Sequence, residues 1–373
     1  MDRVSTDVLV QILQRLPHSC RRRGRYVCRR WRDVVNNRIT ETHSSPKLLI
    51  WSNRLAVAYV ADDLSPSSTG SCTELRWIAE PGAHHRLIGT CNGLLCLCVG
   101  GRVMGGTVTV ANPATGEKLH LPLLPCAGQF IGYLRWKEWH DADAYSFAYH
   151  PTTGQFKVVH VPCSYEQVYD FRTVHVFTLG RTTWREVSVG TGGAMCKLAG
   201  GVVTVHGMSM IYWVTITRGA SAKIVSFDLT DDRIVSTTTP VPARHDRCRL
   251  AEVHERLGYV VWPDVWVLGD GNRWSHRYNF EQGIPRRHFV YGEYVLTCKG
   301  LSFHAHRPNG TPASGQDMVQ IGEHDEGTLV ATMVAAPEIY YGAEIYYVDS
   351  DNYVTFPYVE TLEPLSLYAK KMI

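Results

Sequence analysis

The chain divides on sequence grounds into a short all-α head, residues 1–45, and a large all-β body, residues 46–373. Three observations predict this. Apolar residues near the N-terminus recur at helical spacing. After Ser44-Ser45-Pro46 that spacing gives way to short runs of Val, Ile, Thr, Tyr, Phe and Trp, each bounded by turn-forming residues, and no long helical pattern interrupts them. Related strand–turn segments then return at a period of about 40–50 residues, the length of one four-stranded blade. The short strands alone fit a sandwich, a barrel or a propeller; the repeat favours a β-propeller of six to seven blades, or slightly fewer with long loops, in which neighbouring blades cover the sheet faces that no blade can bury alone.

In the head, Val8, Leu9, Ile12, Leu13 and Leu16 form one apolar stripe. The hydroxyl of Ser5 or Thr6 can accept from the unpaired amides of the first turn, and Asp7 lies at the positive end of the helix dipole. Pro17 ends the helix, because proline disfavours α geometry in the residue before it. Val27, Trp31, Val34 and Val35 repeat the stripe, so about three short helices are expected. Gly24, inside the expected second helix, costs about 1 kcal/mol against alanine. A unit of this size has a small core and needs a partner or a neighbouring domain.

In the body, strands are expected at Lys47–Trp51, Leu55–Ala61, Leu94–Val99, Thr107–Ala111, Phe156–Val161, Ile224–Leu229, Phe289–Leu296 and Val354–Val359, among others that include Leu329–Val334 and Ala343–Val348. Two echoes support a repeat. Asn112-Pro113-Ala114-Thr115-Gly116-Glu117 returns 38 residues later as His150-Pro151-Thr152-Thr153-Gly154-Gln155, and Leu179-Gly180…Trp184 returns as Leu268-Gly269…Trp274.

Composition narrows the function classes. Hydrophobic residues make up 45% of the 373 and charged residues 20%, which is ordinary for a globular protein. The apolar runs are too short to cross a membrane, and the N-terminus lacks the apolar core of a secretory signal. Eleven cysteines without regular spacing do not read as a secreted disulfide framework, so a reduced compartment, cytoplasm and/or nucleus, is expected. Residues 1–42 hold ten arginines against four acids, a charge of +6 where the whole chain carries +3. Arg21-Arg22-Arg23-Gly24-Arg25 therefore reads as an address, a nucleic-acid contact, a solvated face or the complement of an acidic protein. Nucleic acid is the weaker choice, because no aromatic residues for base stacking are interleaved there.

No catalytic pattern is present: there is no Walker loop, Gly-x-Ser-x-Gly or His-Glu-x-x-His. Cys91, Cys96 and Cys98 invite a zinc reading, but no second ligand pair answers them, so they read as small buried hydrophobes. His84-His85, His304-x-His306 and Asp349-x-Asp351 read as loop and turn residues, and no metal or cofactor is expected. The tryptophans read as blade packing, with some available to line a recognition surface.

The head resembles the F-box. Asp7-Val8-Leu9-Val10-Gln11-Ile12-Leu13-Gln14-Arg15-Leu16-Pro17 and Val27-Cys28-Arg29-Arg30-Trp31-Arg32 follow that family's two half-motifs at the right separation. Val4-Ser5 stands where the family has Leu-Pro, and Ser19-Cys20-Arg21-Arg22 where it has Ser-Leu-Leu-Arg. The body is similar to plant F-box-associated domains in five ordered blocks: Arg86–Leu97, Asn112–Pro122, Tyr149–Val159, Val176–Glu186 and Ile224–Asp228. The resemblance implies the substrate-recognition subunit of a Skp–cullin–F-box (SCF) ubiquitin ligase, itself non-catalytic. The head would bind the Skp-type adaptor, and through it the cullin, while the propeller would bind a target protein of unknown identity. Position by position it implies Leu9, Ile12, Leu13, Leu16 and Pro17 as adaptor-facing residues, helped by Val27 and Trp31, with Leu9 and Leu16 as hot spots. Two other readings stay open: an interaction module that does not use the adaptor, and a propeller binding a small ligand or glycan, or acting as an enzyme, through its central funnel.

Overall fold

The computed structural model describes residues 4–16, 24, 27–37, 46–53, 56–61, 72–75, 85–99, 106–125, 144–150, 153–161, 173–188, 202–205, 209–215, 223–238, 248–261, 263–280, 283–292, 294–299, 302–306, 319–321 and 353–369. The head contributes α1 (Thr6–Gln14) and α2 (Arg29–Asn37). The intervening helix expected from the sequence, with Pro17, lies outside the described residues except for Gly24.

Five sheets are blades of four consecutive antiparallel strands. The first holds β4 (His85–Cys91), β5 (Leu94–Val99), β6 (Thr107–Ala111) and β7 (Lys118–His120). Next come β8 (Tyr145–His150), β9 (Gln155–His160), β10 (Thr173–Thr178) and β11 (Arg185–Ser188). The third blade is β12 (Val202–Val205), β13 (Met210–Thr215), β14 (Lys223–Asp228) and β15 (Arg233–Thr238). The fourth is β16 (Cys248–Val253), β17 (Arg256–Val261), β18 (Asp264–Leu268) and β19 (Trp274–Asn279). The fifth is β21 (Val290–Tyr291), β22 (Tyr294–Lys299), β23 (Ser302–His306) and β24 (Val319–Ile321).

A sixth, composite sheet closes the ring, in the order β20 (Arg286–Arg287), β25 (Tyr353–Tyr358), β1 (Lys47–Ser52), β2 (Val57–Ala61) and β3 (Cys72–Leu75). It joins the two ends of the body: β25 pairs with β1 from Lys47↔Tyr358 to Ser52↔Tyr353. Among the described strands of this sheet, β20 alone runs parallel to its neighbour.

The expectation of six to seven like blades therefore needs correction: five blades are built from consecutive strands, and the remaining sheet is assembled from distant segments. Successive first strands begin at His85, Tyr145, Val202, Cys248 and Val290, steps of 60, 57, 46 and 42 residues, so long connections absorb sequence that a strict 40–50-residue period would assign to another blade. The 38-residue echo also misleads. Asn112–Glu117 joins the third and fourth strands of its blade, whereas the His150 turn joins the first and second of the next. The Leu179 and Leu268 segments are true equivalents, each between third and fourth strands. Phe289–Leu296 is not one strand. It turns at Gly292, whose φ of 58° is the left-handed conformation that glycine adopts freely. The runs Leu329–Val334 and Ala343–Val348 lie outside the described residues.

The core sits between blades. Leu49, Trp51 and Phe356 of the closing sheet pack on Leu87 and Leu95 of the first blade. Val110 and Leu119 meet Phe147, Phe156 and Val158. Val159 and Val174 meet Trp213 and Phe227. Val203 and Tyr212 meet Leu250 and Tyr259. Val260, Val265, Phe289 and Leu296 then return to Leu48 and Ile50, completing the circle. With both faces covered, central strands such as β1 and β5 read as near-continuous apolar runs, while the outermost β11 and β19 are largely exposed.

Candidate functional site

Three places on the molecule have the chemistry of a site: the helical head, the propeller axis, and a seat for the C-terminal segment on the first blade.

In the head, Ser5 rather than Thr6 is the cap of α1: its hydroxyl accepts from the Val8 amide at 3.3 Å. Leu9, Leu13 and Val34 form a small core, with Val10, Leu16 and Trp31 packed against it. A Cβ on Gly24 would lie 3.3 Å from Cε3 of Trp31 and 3.5 Å from Cδ2 of Leu13, so the glycine lets this segment approach the core closely. The Arg30 guanidinium donates to the Val4 carbonyl and ties the two helices together. Of the seven residues expected at an adaptor surface, Leu9 (3% exposed) and Leu13 (0%) lie inside the head, and Leu16 and Trp31 are half-buried. Ile12 (45%) and Val27 (54%) point outward, as do Val4 and Val8, which the motif reading did not single out. Pro17 lies outside the described residues. Helical spacing picks out an apolar stripe, but it does not say which of its edges the second helix covers.

On the axis, a cavity with room for water over about 40 Å³ is lined by residues of the inner strands, among them Thr90, Ser146, Thr204, Glu252, Arg287 and His288. Ser146 Oγ lies 2.5 Å from Thr204 Oγ1, and Thr90 donates to the Pro357 carbonyl at 2.5 Å. His288 Nδ1 stands 3.7 Å from Glu252 Oε2, and the Arg287 guanidinium donates to the Val202 carbonyl. A water needs at least about 10–15 Å³ measured this way, so the space suits about three waters rather than a sugar ring. Among the described residues, no group of three His, Cys, Asp or Glu side chains could hold a metal ion. Cys91, Cys96 and Cys98 belong to the core between the first two blades. Burial, then the neighbouring Cys98, pushes the Cys96 thiol well above its ordinary range, which suits a protonated apolar role. His85 is buried, and His84, Asp349 and Asp351 lie outside the described residues.

The most regular motifs in the body line neither surface. They hold the segment after β25. The Asn112 side chain, fully buried, donates to the Thr361 and Glu363 carbonyls at 3.1 and 2.8 Å, while its own oxygen accepts from Ala114 N at 2.9 Å. Glu117 Oε2 accepts from Leu365 N at 2.9 Å, and Oε1 accepts from Ser366 N at 3.3 Å. Leu365 is buried against the first two blades, and α3 (Ser366–Ala369) follows it, with Tyr368 edge-on to Phe156. Gly93, in the Asn92-Gly93 turn, has φ +78° and lies so close to the segment that a Cβ would fall 2.3 Å from the Val359 carbonyl oxygen. Gly93→Ala is therefore expected to destabilise the propeller by about 2 kcal/mol or more, through both the left-handed φ and the clash. Thermal unfolding of the purified chain measures it, and an unchanged midpoint would contradict the reading.

A model described as "F-box associated beta propeller domain" matches residues 65–304, and an F-box domain model matches residues 1–41. An F-box protein of Arabidopsis thaliana is 26% identical over 328 residues, spanning 77% of this chain and 74% of its own. Among solved structures, TolB from Acinetobacter baumannii aligns over 78% of this chain and 66% of its own, with 9% identity and a TM-score of 0.43. The Dos1 propeller aligns over 75% of this chain and 68% of its own, with 10% identity and a TM-score of 0.37.

Proposed function

Because this chain belongs to the F-box associated beta propeller family and carries an F-box domain ahead of the propeller, we propose that it is the substrate-recognition subunit of an SCF ubiquitin ligase. The observation that carries the reading is the F-box match at residues 1–41, next to a domain whose many loops can be shaped to a target. The work of such a subunit is proximity. The head, residues 1–45, binds a Skp-type adaptor fixed to a cullin, and the body, residues 46–373, holds a target protein. The target's lysines then meet a charged ubiquitin-conjugating enzyme at raised effective concentration. The receptor is non-catalytic in this scheme and acts where the ligase acts, in cytoplasm and/or nucleus.

Adaptor contact falls to the outward edge of the head. Ile12, Val27 and Val8 present exposed apolar surface, and Leu16 and Trp31 are half-buried. Leu9 and Leu13 act by holding the helices in register. The surplus of arginine complements an acidic adaptor. A small-ligand reading of the propeller gains nothing from an axial cavity sized for about three waters.

The test is capture of a purified Skp-type adaptor by the full-length chain and by Ile12→Asp with Val27→Asp. Both positions are exposed, so the double variant should stay folded while losing adaptor by about a hundredfold or more, as expected for charges placed in an apolar contact. Undiminished capture by a folded double variant would overturn the assignment of this edge. No capture by the parent chain would overturn the ligase reading.

A further inference from the structure

The seat on the first blade ends in a contact that one charge can reverse. Ser366 is exposed, yet its amide faces Oε1 of Glu117 at 3.3 Å, which sets its hydroxyl beside that carboxylate. The Glu117 carboxylate additionally takes the Leu365 amide at 2.9 Å and the Thr115 hydroxyl at 3.2 Å, so one acid gathers the donors that anchor the segment. Nearby, Glu363 accepts from the Tyr368 hydroxyl at 2.7 Å, which adds a second carboxylate to the strap. Beyond this anchor the strap is held by the buried Asn112 side chain, which donates to the Thr361 and Glu363 carbonyls, by the Leu365 side chain and by the Tyr368 ring.

We propose that Ser366 is a charge-operated latch, a serine at which phosphorylation releases the C-terminal strap from the first blade. In the transfer, Ser366 Oγ attacks the γ-phosphorus of a nucleoside triphosphate held by a protein kinase. The new O–P bond forms as the bond to the β,γ-bridging oxygen breaks. The hydroxyl proton passes to the kinase's base, and the nucleoside diphosphate leaves. The product exchanges a hydrogen-bond donor for a group of charge about −1.5 to −2, directly against Glu117. The amides that would otherwise receive a phosphate, those of Leu365 and Ser366, are already taken by Glu117. Lys118, beside Glu117 in sequence, is exposed to solvent, where its charge is screened. Repulsion therefore prevails, and Asn112, Gly93 and Leu365 lose the segment they hold.

The experiment uses the full-length chain with phosphoserine incorporated at 366, read by hydrogen exchange of residues 361–369. Parallel chains carry Ser366→Ala, Ser366→Asp, Glu117→Gln, and Glu117→Gln with phosphoserine. Phosphoserine should speed exchange of the segment by about tenfold or more, and Ser366→Asp should speed it in the same direction. Ser366→Ala, which loses a donor but adds no charge, should change it less than about threefold. Adding Glu117→Gln to phosphoserine should return exchange to within about threefold of Glu117→Gln alone, because the opposing charge is gone. A phosphorylated chain that exchanges at the unmodified rate overturns the latch. So does a release that Glu117→Gln fails to relieve, which would assign it to bulk rather than charge.

Discussion

Asp232→Asn should lower the stability of the propeller by about 3–5 kcal/mol, the usual consequence of removing one partner from a buried ion pair. Lys157 is 5% exposed and crosses from the second blade to the third, where its ammonium donates to the Leu229 carbonyl at 2.6 Å and to Asp232 Oδ1 at 2.8 Å. The Arg185 guanidinium takes the other carboxylate oxygen. Burial, and then the charge of Arg185, pulls the Lys157 ammonium below its usual range, so the site depends on Asp232 to keep two cations together. Asp232 also has φ 50°, which Asn tolerates, so Asn removes charge without backbone strain. Adding Lys157→Met should recover most of the loss, because the stranded charge is then removed. Urea unfolding followed by tryptophan fluorescence measures both. Asp232→Asn within about 1 kcal/mol of the parent would show that the pair contributes little.

The second large effect is loss of stability in mild acid. Tyr145, His160, His175 and Glu186 form one cross-strand row over the second blade, each in register with the next. His160 lies with its ring 4.7 Å from Tyr145 and 5.8 Å from His175, and burial, helped by His175, drives its pKa down to about 3. Burial likewise lowers His175, with exposed Glu186, 3.9 Å away, opposing it. Both rings are therefore neutral in the fold. Below pH 6.5 the unfolded chain binds protons that the folded chain does not. The stabilisation is complete above that pH and is lost as pH falls toward 3. Each unit of pH below 6.5 costs about 1.4 kcal/mol for His160, so about 2 kcal/mol is lost by pH 5. His160→Phe should flatten the difference between urea midpoints at pH 7.5 and pH 5. An unaltered slope would place the acid sensitivity elsewhere.

Particular residues show how far the sequence could be read. The break at Ser44-Ser45-Pro46, the cap at Ser5 and the run of short strands are local signals, and the fold follows them. Strand ends such as Lys47 and Val57 were placed to within a residue or two because turn formers bound them. The arrangement of blades was harder to read, because similar turns at Asn112 and His150 occupy different places in a blade. The axial cavity and the Lys157–Asp232 pair were invisible, since the pair joins residues 75 positions apart and nothing in either local sequence announces the other. The role of Asn112, Gly93 and Glu117 was hidden for the same reason: their partner is the end of the chain, about 250 residues away.

The composite sheet has a consequence for synthesis on the ribosome. β1, β2 and β3 emerge early, but their inner neighbour β25 is not translated until residues 353–358. At about 5–20 residues per second, the 277 residues between Leu75 and Tyr353 take roughly 15–55 s. Throughout that interval the nascent body is an open arc with Leu49 and Trp51 lacking Phe356, while the head is already outside the tunnel. The F-box end is thus complete before the body exists as a ring. A message truncated ahead of residue 353 would yield a chain that carries the F-box but lacks the strand that closes the ring.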